Sequence, residues 1–200
     1  MSAIILSMLT FALVGAISPG PVNIIATSSA ANFGFSRTLP YVIGATLGYT
    51  LIVLLVGIGM NGILQTYPQI TWALQYSGGA FLLYMAYRIA SARPQQGLPD
   101  YSQNMPPRLL EGALAQALNP KAWLVSMSGV ALFVSAHTPA EYYLVAFCVI
   151  SFIMCLFGVG TWAAVGHLVS RYLAKPRNQA IFNLVMGLLL SGTVVSLFMH

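Results

Sequence analysis

The sequence predicts an all-α, polytopic membrane protein with six transmembrane helices, arranged as a 3+3 inverted repeat in which helices 1 and 4 are broken. Of the 200 residues, 58% are hydrophobic and 6% are charged, whereas water-soluble domains carry roughly 25% charged residues. Long apolar runs recur along the chain, and about 20 apolar residues suffice to cross a bilayer. This composition excludes a water-soluble fold and leaves no room for a separate enzyme domain, so we expect no enzymatic activity.

Six apolar runs are bounded by polar residues or by proline and glycine. They cover residues 3–33, 40–60, 70–90, 110–136, 142–168 and 181–199. The connections are short except the third, which is rich in proline and arginine and is typical of a linker. We therefore divide one membrane domain into a first three-helix repeat (1–92), a cytoplasmic linker (93–109) and a second three-helix repeat (110–200).

Basic residues fix the expected orientation. If the loops alternate between two sides, seven of the eight Lys and Arg residues fall on one side and none on the other. These seven are Arg37, Arg88, Arg93, Arg108, Arg171, Lys175 and Arg177. Because cytoplasmic loops are enriched in Lys and Arg, both termini are expected to be periplasmic in a multi-pass protein of the bacterial inner membrane.

Proline interrupts the first and fourth runs near their middles. The interruptions are Ser18-Pro19-Gly20-Pro21 and Asn119-Pro120. Proline removes a backbone donor and clashes with the preceding turn, so each helix should break and leave unpaired backbone groups at mid-membrane. Such backbone is tolerated there only inside protein or beside a polar cavity. A simple kink at each proline is the structural alternative. Because each half contains three spans, the second half enters the membrane from the opposite side to the first. Any structural similarity between the halves would therefore be an inverted repeat.

The two breaks predict a substrate site. Ser18 or Gly20 can cap the second half of span 1, and Asn119 can cap the second half of span 4. The amide-rich starts of these half-helices favour an anion, and the carbonyl ends before them favour an ammonium group, which together suit a zwitterion such as an amino acid. We expect the substrate-binding residues to be Ser18, Pro19, Gly20, Pro21, Asn23, Gln116, Asn119, Pro120 and Lys121.

Lys121 is the charged residue that lies deep within a span. A lysine there is costly and opposes the dipole of its own helix, so we expect it to hold a substrate carboxylate; a lysine that reaches buried carbonyls is the alternative. Lys121, Glu111 and His167 are the candidates for coupling to an ion, although interfacial solvation also accounts for Glu111 and His167. Interhelical hydrogen bonding is an equal alternative role for Asn23 and Gln116.

Several other residues favour structural roles. Gly44 and Gly48 form a small-residue pattern that allows close helix approach. Cys148 and Cys155 lie too far apart for a disulfide within one helix and are expected to be packing or lipid-facing residues. No metal-ligand spacing, nucleophile motif or phosphate-binding loop is present. We therefore expect no metal site, no cofactor and no nucleic-acid partner.

The motifs resemble those of the lysine exporter (LysE) superfamily, in its homoserine/threonine resistance branch. The resemblance rests on residues 18–23, the glycines of span 2, residues 82–84 and residues 118–122, and it covers essentially the whole chain. It implies a secondary transporter that exports amino acids across the bacterial inner membrane, with proton antiport as the energy source. Residues 162–168 look most like members that export cysteine or O-acetylserine. No Asp or Glu lies deep within a span to pair with a cationic side chain. Small neutral substrates are therefore favoured over basic amino acids. The expected partners are this substrate and the lipid bilayer, with a homodimer left open.

Two other functions within the same superfamily stay open as alternatives. A membrane thiol relay would need a cysteine beside each break, whereas Cys148 and Cys155 both lie in span 5. A metal-ion permease would need carboxylate, histidine or thiolate ligands grouped at the midplane, where the sequence offers uncharged polar residues.

The orientation can be tested with reporter fusions. A reporter that is active only in the periplasm should work at His200 and fail within 93–108, because the basic loops hold the linker in the cytoplasm. Whole-cell reporter activity is the measurement. A C-terminal fusion active only in the cytoplasm would overturn the span count.

Overall fold

A computed structural model describes residues 2–60, 66–91 and 105–198. Within these ranges the chain forms eight α-helices and no strand. Their bounds are α1 Ser2–Ile17, α2 Pro21–Phe33, α3 Phe35–Leu55, α4 Pro68–Ala90, α5 Leu109–Ala117, α6 Pro120–Val130, α7 Ala140–Val169 and α8 Pro176–Phe198. Short π-helical turns follow α3 and α6, and a 3₁₀ turn follows α7. The all-helical class is confirmed.

Both predicted breaks are present, so the chain does not pass these prolines with a mild kink. The axes of α1 and α2 bend by 60°, and the α5–α6 pair bends by 65°. Pro21 and Pro120 are the first residues of the helices that follow, because a fixed φ suits that position and the missing N–H is not needed there. Asn119 caps α6 with its side chain, as predicted, whereas Gly20 stands at the start of α2 without a side-chain cap.

Several helices are apolar and long enough to cross a membrane. Among the described residues, Phe35–Gly59 and Ala140–Val169 qualify on their own, and each bent pair also qualifies if its two helices are counted as one span. The chain is therefore helical with several apolar candidate spans. The complete six-span inverted repeat stays a prediction at this point.

Three helices begin earlier than the apolar runs suggested. α3 begins at Phe35, with Pro40 inside the helix, because Gly34 adopts a φ of 87° and separates α2 from α3 with a single residue. α4 begins at Pro68 and α8 at Pro176. Proline at the first helical position explains both starts, which a count of apolar residues cannot detect.

α7 packs against α1, α2 and α3. α3 also packs against α5, and α4 packs against α8. Glycine permits the closest approaches: a Cβ at Gly44 would lie 1.9 Å from the Leu109 carbonyl oxygen, and one at Gly48 would lie 2.8 Å from that of Ala113. The predicted packing role of both glycines is confirmed.

Gly44→Ala should therefore destabilise the protein. The added methyl group meets rigid backbone, and overpacking of this kind costs about 1–3 kcal/mol. Gly160→Ala is the matched control, because a Cβ at Gly160 meets nothing within 4 Å. We expect Gly44→Ala to lower the Tm of detergent-purified protein by several degrees while Gly160→Ala does not; equal Tm values for the two variants would contradict the close contact.

Candidate functional site

The two helix breaks meet through the side chain of Lys121. Its ammonium group donates to the Ser18 hydroxyl (2.7 Å), to the Ser18 carbonyl (2.9 Å) and to the Pro19 carbonyl (3.4 Å). The first turn of α6 is thus tied to the end of α1, 103 residues earlier in the chain. Residues that sequence reasoning placed at two separate breaks form one site.

Other side chains pair the remaining carbonyl groups at the end of α1. The bonds run from the Ser18 hydroxyl to Gly15 (3.0 Å), from the Asn23 amide to Ala16 and Ser18 (2.9 Å each), and from the Trp162 indole to Ile17 (2.9 Å). The Val14 carbonyl accepts a hydrogen bond from the Ser18 backbone N–H, and the Gly20 carbonyl accepts one from the Ile24 backbone N–H. Every carbonyl from Val14 to Gly20 therefore has a donor, as apolar surroundings require.

The second break uses the same kinds of side chain. The Trp123 indole donates to the Ala117 carbonyl (2.8 Å), which matches the bond from Trp162 at the first break. The Asn119 side chain accepts from the backbone N–H of Lys121 (3.2 Å) and donates to the Gln116 side-chain oxygen (3.1 Å). A tryptophan and an asparagine thus stabilise each break.

The position of the ammonium group resolves the electrostatic problem posed by Lys121. At the start of α6 a cation opposes the helix dipole, but the flexible stem carries the charge to the carbonyl end of α1, where the dipole favours a cation. In this conformation the lysine reaches backbone carbonyls, which is the alternative raised by the sequence. Binding of a carboxylate by the same group stays a prediction.

A pocket of about 410 Å³, counting its open mouth, lies between the breaks, and we call it the central pocket. The polar lining residues are Asn23, Tyr49, Gln116, Asn119, Lys121 and Cys155. The remaining lining residues are small and apolar: Gly15, Ala16, Gly20, Val22, Ala122, Val125 and Val159.

Five of the nine predicted binding residues line this pocket: Gly20, Asn23, Gln116, Asn119 and Lys121. The other four lie beside it. Ser18 and Pro19 accept hydrogen bonds from Lys121, and Pro21 and Pro120 begin the two helices whose first turns form part of the wall.

Two coupling candidates lie outside the central pocket. Glu111, in the first turn of α5, forms an ion pair with Arg88 and accepts from the Arg108 backbone N–H at 2.7 Å. His167 is exposed near the end of α7. Of the three candidates, the structure brings Lys121 alone to the central pocket.

Cys155 is a buried packing residue, as expected, but it also lines the central pocket, which was not expected. Its thiol accepts a hydrogen bond from the Gln116 amide at 3.8 Å. An uninterrupted apolar run gives no signal for this role. Tyr49, which was also missed, carried a weak signal, because its polar hydroxyl lies in mid-span, away from the interfacial aromatic belts. In the part of the chain that the structure describes, no three His, Cys, Asp or Glu side chains are grouped to hold a metal ion.

The family model described as LysE type translocator matches residues 13–200. The chain belongs to the LysE type translocator family. The cysteine/O-acetylserine efflux protein of Escherichia coli O157:H7 is 31% identical over 190 residues, covering 94% of each chain. The protein of the same name from Shigella flexneri serotype 5b is 32% identical over 200 residues, covering 99% of this chain and 100% of the relative. No solved structure matches the chain. The resemblance noted from the motifs is thus confirmed.

Lys121→Met should destabilise the folded protein without impairing insertion. The substitution removes the donor to the Ser18 hydroxyl and to the Pro19 carbonyl. A buried group left unpaired lowers the free energy of unfolding by roughly 1–3 kcal/mol. Insertion, in contrast, becomes easier when a charge within the membrane is lost. Membrane yield and Tm in detergent separate these effects. Lys175→Met, at an exposed loop lysine, is the control. A Tm equal to that of the control would contradict a structural role for the lysine bridge.

Proposed function

We propose that this protein is a secondary transporter of the bacterial inner membrane that exports small neutral amino acids or their derivatives, of the kind that the names of its relatives indicate, cysteine and O-acetylserine. The observation that carries the proposal is the pairing of the Lys121 ammonium with the carbonyl end of α1 inside a pocket formed at two helix breaks.

A zwitterion fits this pocket by exchanging partners with Lys121. Its carboxylate pairs with the Lys121 ammonium group and with the amide-rich start of α2. Its ammonium group then replaces that of Lys121 on the carbonyl groups of Ser18 and Pro19, which now accept from the lysine. No charge is left unpaired at any stage, which is what a site of low polarity requires.

The lining favours a small neutral side chain. Glycine, alanine and valine form much of the wall, and no Asp or Glu is among the lining residues of this pocket. A cationic side chain would therefore lack a counter-charge. Tyr49 and Cys155 provide weaker polar contacts for a thiol or an ester group.

The packing supports a six-span inverted repeat with two three-helix halves. α3 packs against the second broken pair and α7 against the first, while α3 contacts α7 and α4 contacts α8. This is the pattern expected when one two-fold operation relates the halves. α4 and α8 each have 23 residues, about 35 Å at the rise of an α-helix, so they can serve as the third span of each half. The basic loops favour periplasmic termini.

Proton antiport is the proposed energy source. Lys121, Glu111 and His167 remain the coupling candidates, and Lys121 is favoured because it lies in the central pocket.

A second candidate function, a thiol relay, gains one observation, because the Cys155 thiol lies in the central pocket. Cys148 is not among the lining residues, and both thiols are free. Replacement of both cysteines by alanine should leave export intact; loss of activity in that variant would favour the relay.

Export can be tested by counterflow in proteoliposomes. Radiolabelled O-acetylserine or cysteine should exchange against a panel of unlabelled neutral amino acids, and an imposed pH gradient should drive net flux. Lys121→Met should weaken substrate affinity about tenfold to a hundredfold, since a hydrogen bond to a charged group contributes roughly 1.5–3 kcal/mol. Counterflow no greater than in protein-free vesicles, across the whole panel, would refute the proposal.

A further inference from the structure

A second pocket of about 440 Å³, counting its open mouth, lies at the other end of α2. It is bounded by the end of α2, the end of α4 and the segment before α5, and its lining includes Ser28, Ser29, Asn32, Arg88 and Met105. We call it the basic-end pocket, because Arg88 belongs to the set of basic residues that predicts the cytoplasmic face. None of its lining residues is shared with the central pocket.

We propose that the basic-end pocket is a second binding site, which holds the carboxylate of an α-amino acid on Arg88 before the substrate reaches the central pocket. This inference rests on the proposed function, because it concerns the same class of substrate. It assigns a role to a residue pair, Arg88 and Glu111, that motif analysis did not connect.

Arg88 is partnered but accessible. Its guanidinium group pairs with the Glu111 carboxylate and donates to the Met105 carbonyl at 3.1 Å. Its side chain is 30% exposed, and that of Glu111 is 23% exposed. A guanidinium group offers five N–H donors in a fork that matches a carboxylate. Arg88 can thus accept a further carboxylate, or exchange Glu111 for one.

The opposite wall supplies polar groups from α2. Ser28 is buried and lines this wall, whereas the hydroxyl of Ser29 is shared with Thr38 at 2.8 Å. The Asn32 amide is fixed by its reciprocal bonds with Asn183. Ser28 is therefore the group on this wall that is available to a substrate oxygen.

α2 connects the two pockets directly. Asn23 lines the central pocket and Ser28 lines the basic-end pocket, and five residues of α-helix correspond to about 7.5 Å. The two pockets therefore lie at levels about 7.5 Å apart along the axis of α2. The two pockets are consecutive sites along one buried helix without charged residues.

The ion pair provides the exchange chemistry. When the carboxylate of a zwitterion binds Arg88, it replaces the Glu111 carboxylate, which keeps its hydrogen bond from the Arg108 backbone N–H. Once the substrate moves on, Arg88 and Glu111 pair again. Lys121 is proposed to exchange partners in the same way at the central pocket.

Two charge-neutralising variants test this assignment with opposite expectations. Arg88→Gln removes the carboxylate ligand, so the half-saturation concentration for O-acetylserine presented at the basic face of inside-out vesicles should rise about tenfold to a hundredfold. Glu111→Gln keeps the helix cap, since glutamine can also fill that position, and removes the competing carboxylate. Its half-saturation concentration should stay the same or fall. In right-side-out vesicles, neither variant should change the value more than about twofold.

A purely structural ion pair gives a different pattern. In that case the half-saturation concentrations of both variants would change in the same direction. The double variant with the exchanged pair, Arg88→Glu with Glu111→Arg, would restore the parent value. Either result overturns the second site. Arg88→Lys keeps the charge but loses the forked guanidinium group, so its half-saturation concentration should rise by an intermediate amount. This variant replaces Arg88→Gln in the test if Arg88→Gln is poorly inserted.

Direct binding separates failure of the second site from failure of export. Titration of detergent-purified protein with O-acetylserine should give two binding equivalents for the parent and one for Arg88→Gln. A parent that binds two equivalents but does not transport would refute export alone. A parent that transports yet binds one equivalent, unchanged in Arg88→Gln, would refute the second site alone.

Discussion

The fold depends on one constraint, which is that backbone carbonyl groups freed inside a membrane must find donors within the protein. Two proline-containing breaks free such groups, and the donors come from several helices. At the first break they are side chains of α2, α6 and α7, together with Ser18 itself. The breaks therefore hold the bundle together, because they can persist only where these helices meet.

The same constraint explains why the central pocket is polar in an otherwise apolar chain. Groups that satisfy the breaks, such as Asn23, Asn119 and Lys121, also face the space between them. Structural and functional roles thus fall on the same side chains. Substitution of one of these residues affects both folding and binding, so its effect on transport has to be interpreted beside its effect on stability.

Local chemistry allowed much of this to be predicted from the sequence. The breaks and the Asn119 cap follow from the properties of proline and asparagine at a helix start, and a lone deep lysine indicates its own importance. The roles of Trp162 and Cys155 could not be predicted, and that of Tyr49 was only weakly indicated, because they depend on how α7 and α3 are rotated about their axes when they pack. The faces of an apolar helix differ little in polarity, so its sequence does not indicate which face turns toward the neighbouring helices. The Arg88–Glu111 pair depends on how α4 and α5 are brought together across the linker, which the sequence does not specify.

The glycine contacts also have a mechanical consequence. A Cβ at Gly44 would overlap the Leu109 carbonyl, and one at Gly112 would overlap that of Tyr41, so α3 and α5 touch backbone to backbone from both sides. Gly166 touches the Thr27 carbonyl in the same way, which joins α7 to α2. Helices in such contact cannot slide past each other without clashing. Each of these two helix pairs, α3 with α5 and α7 with α2, therefore moves as one unit.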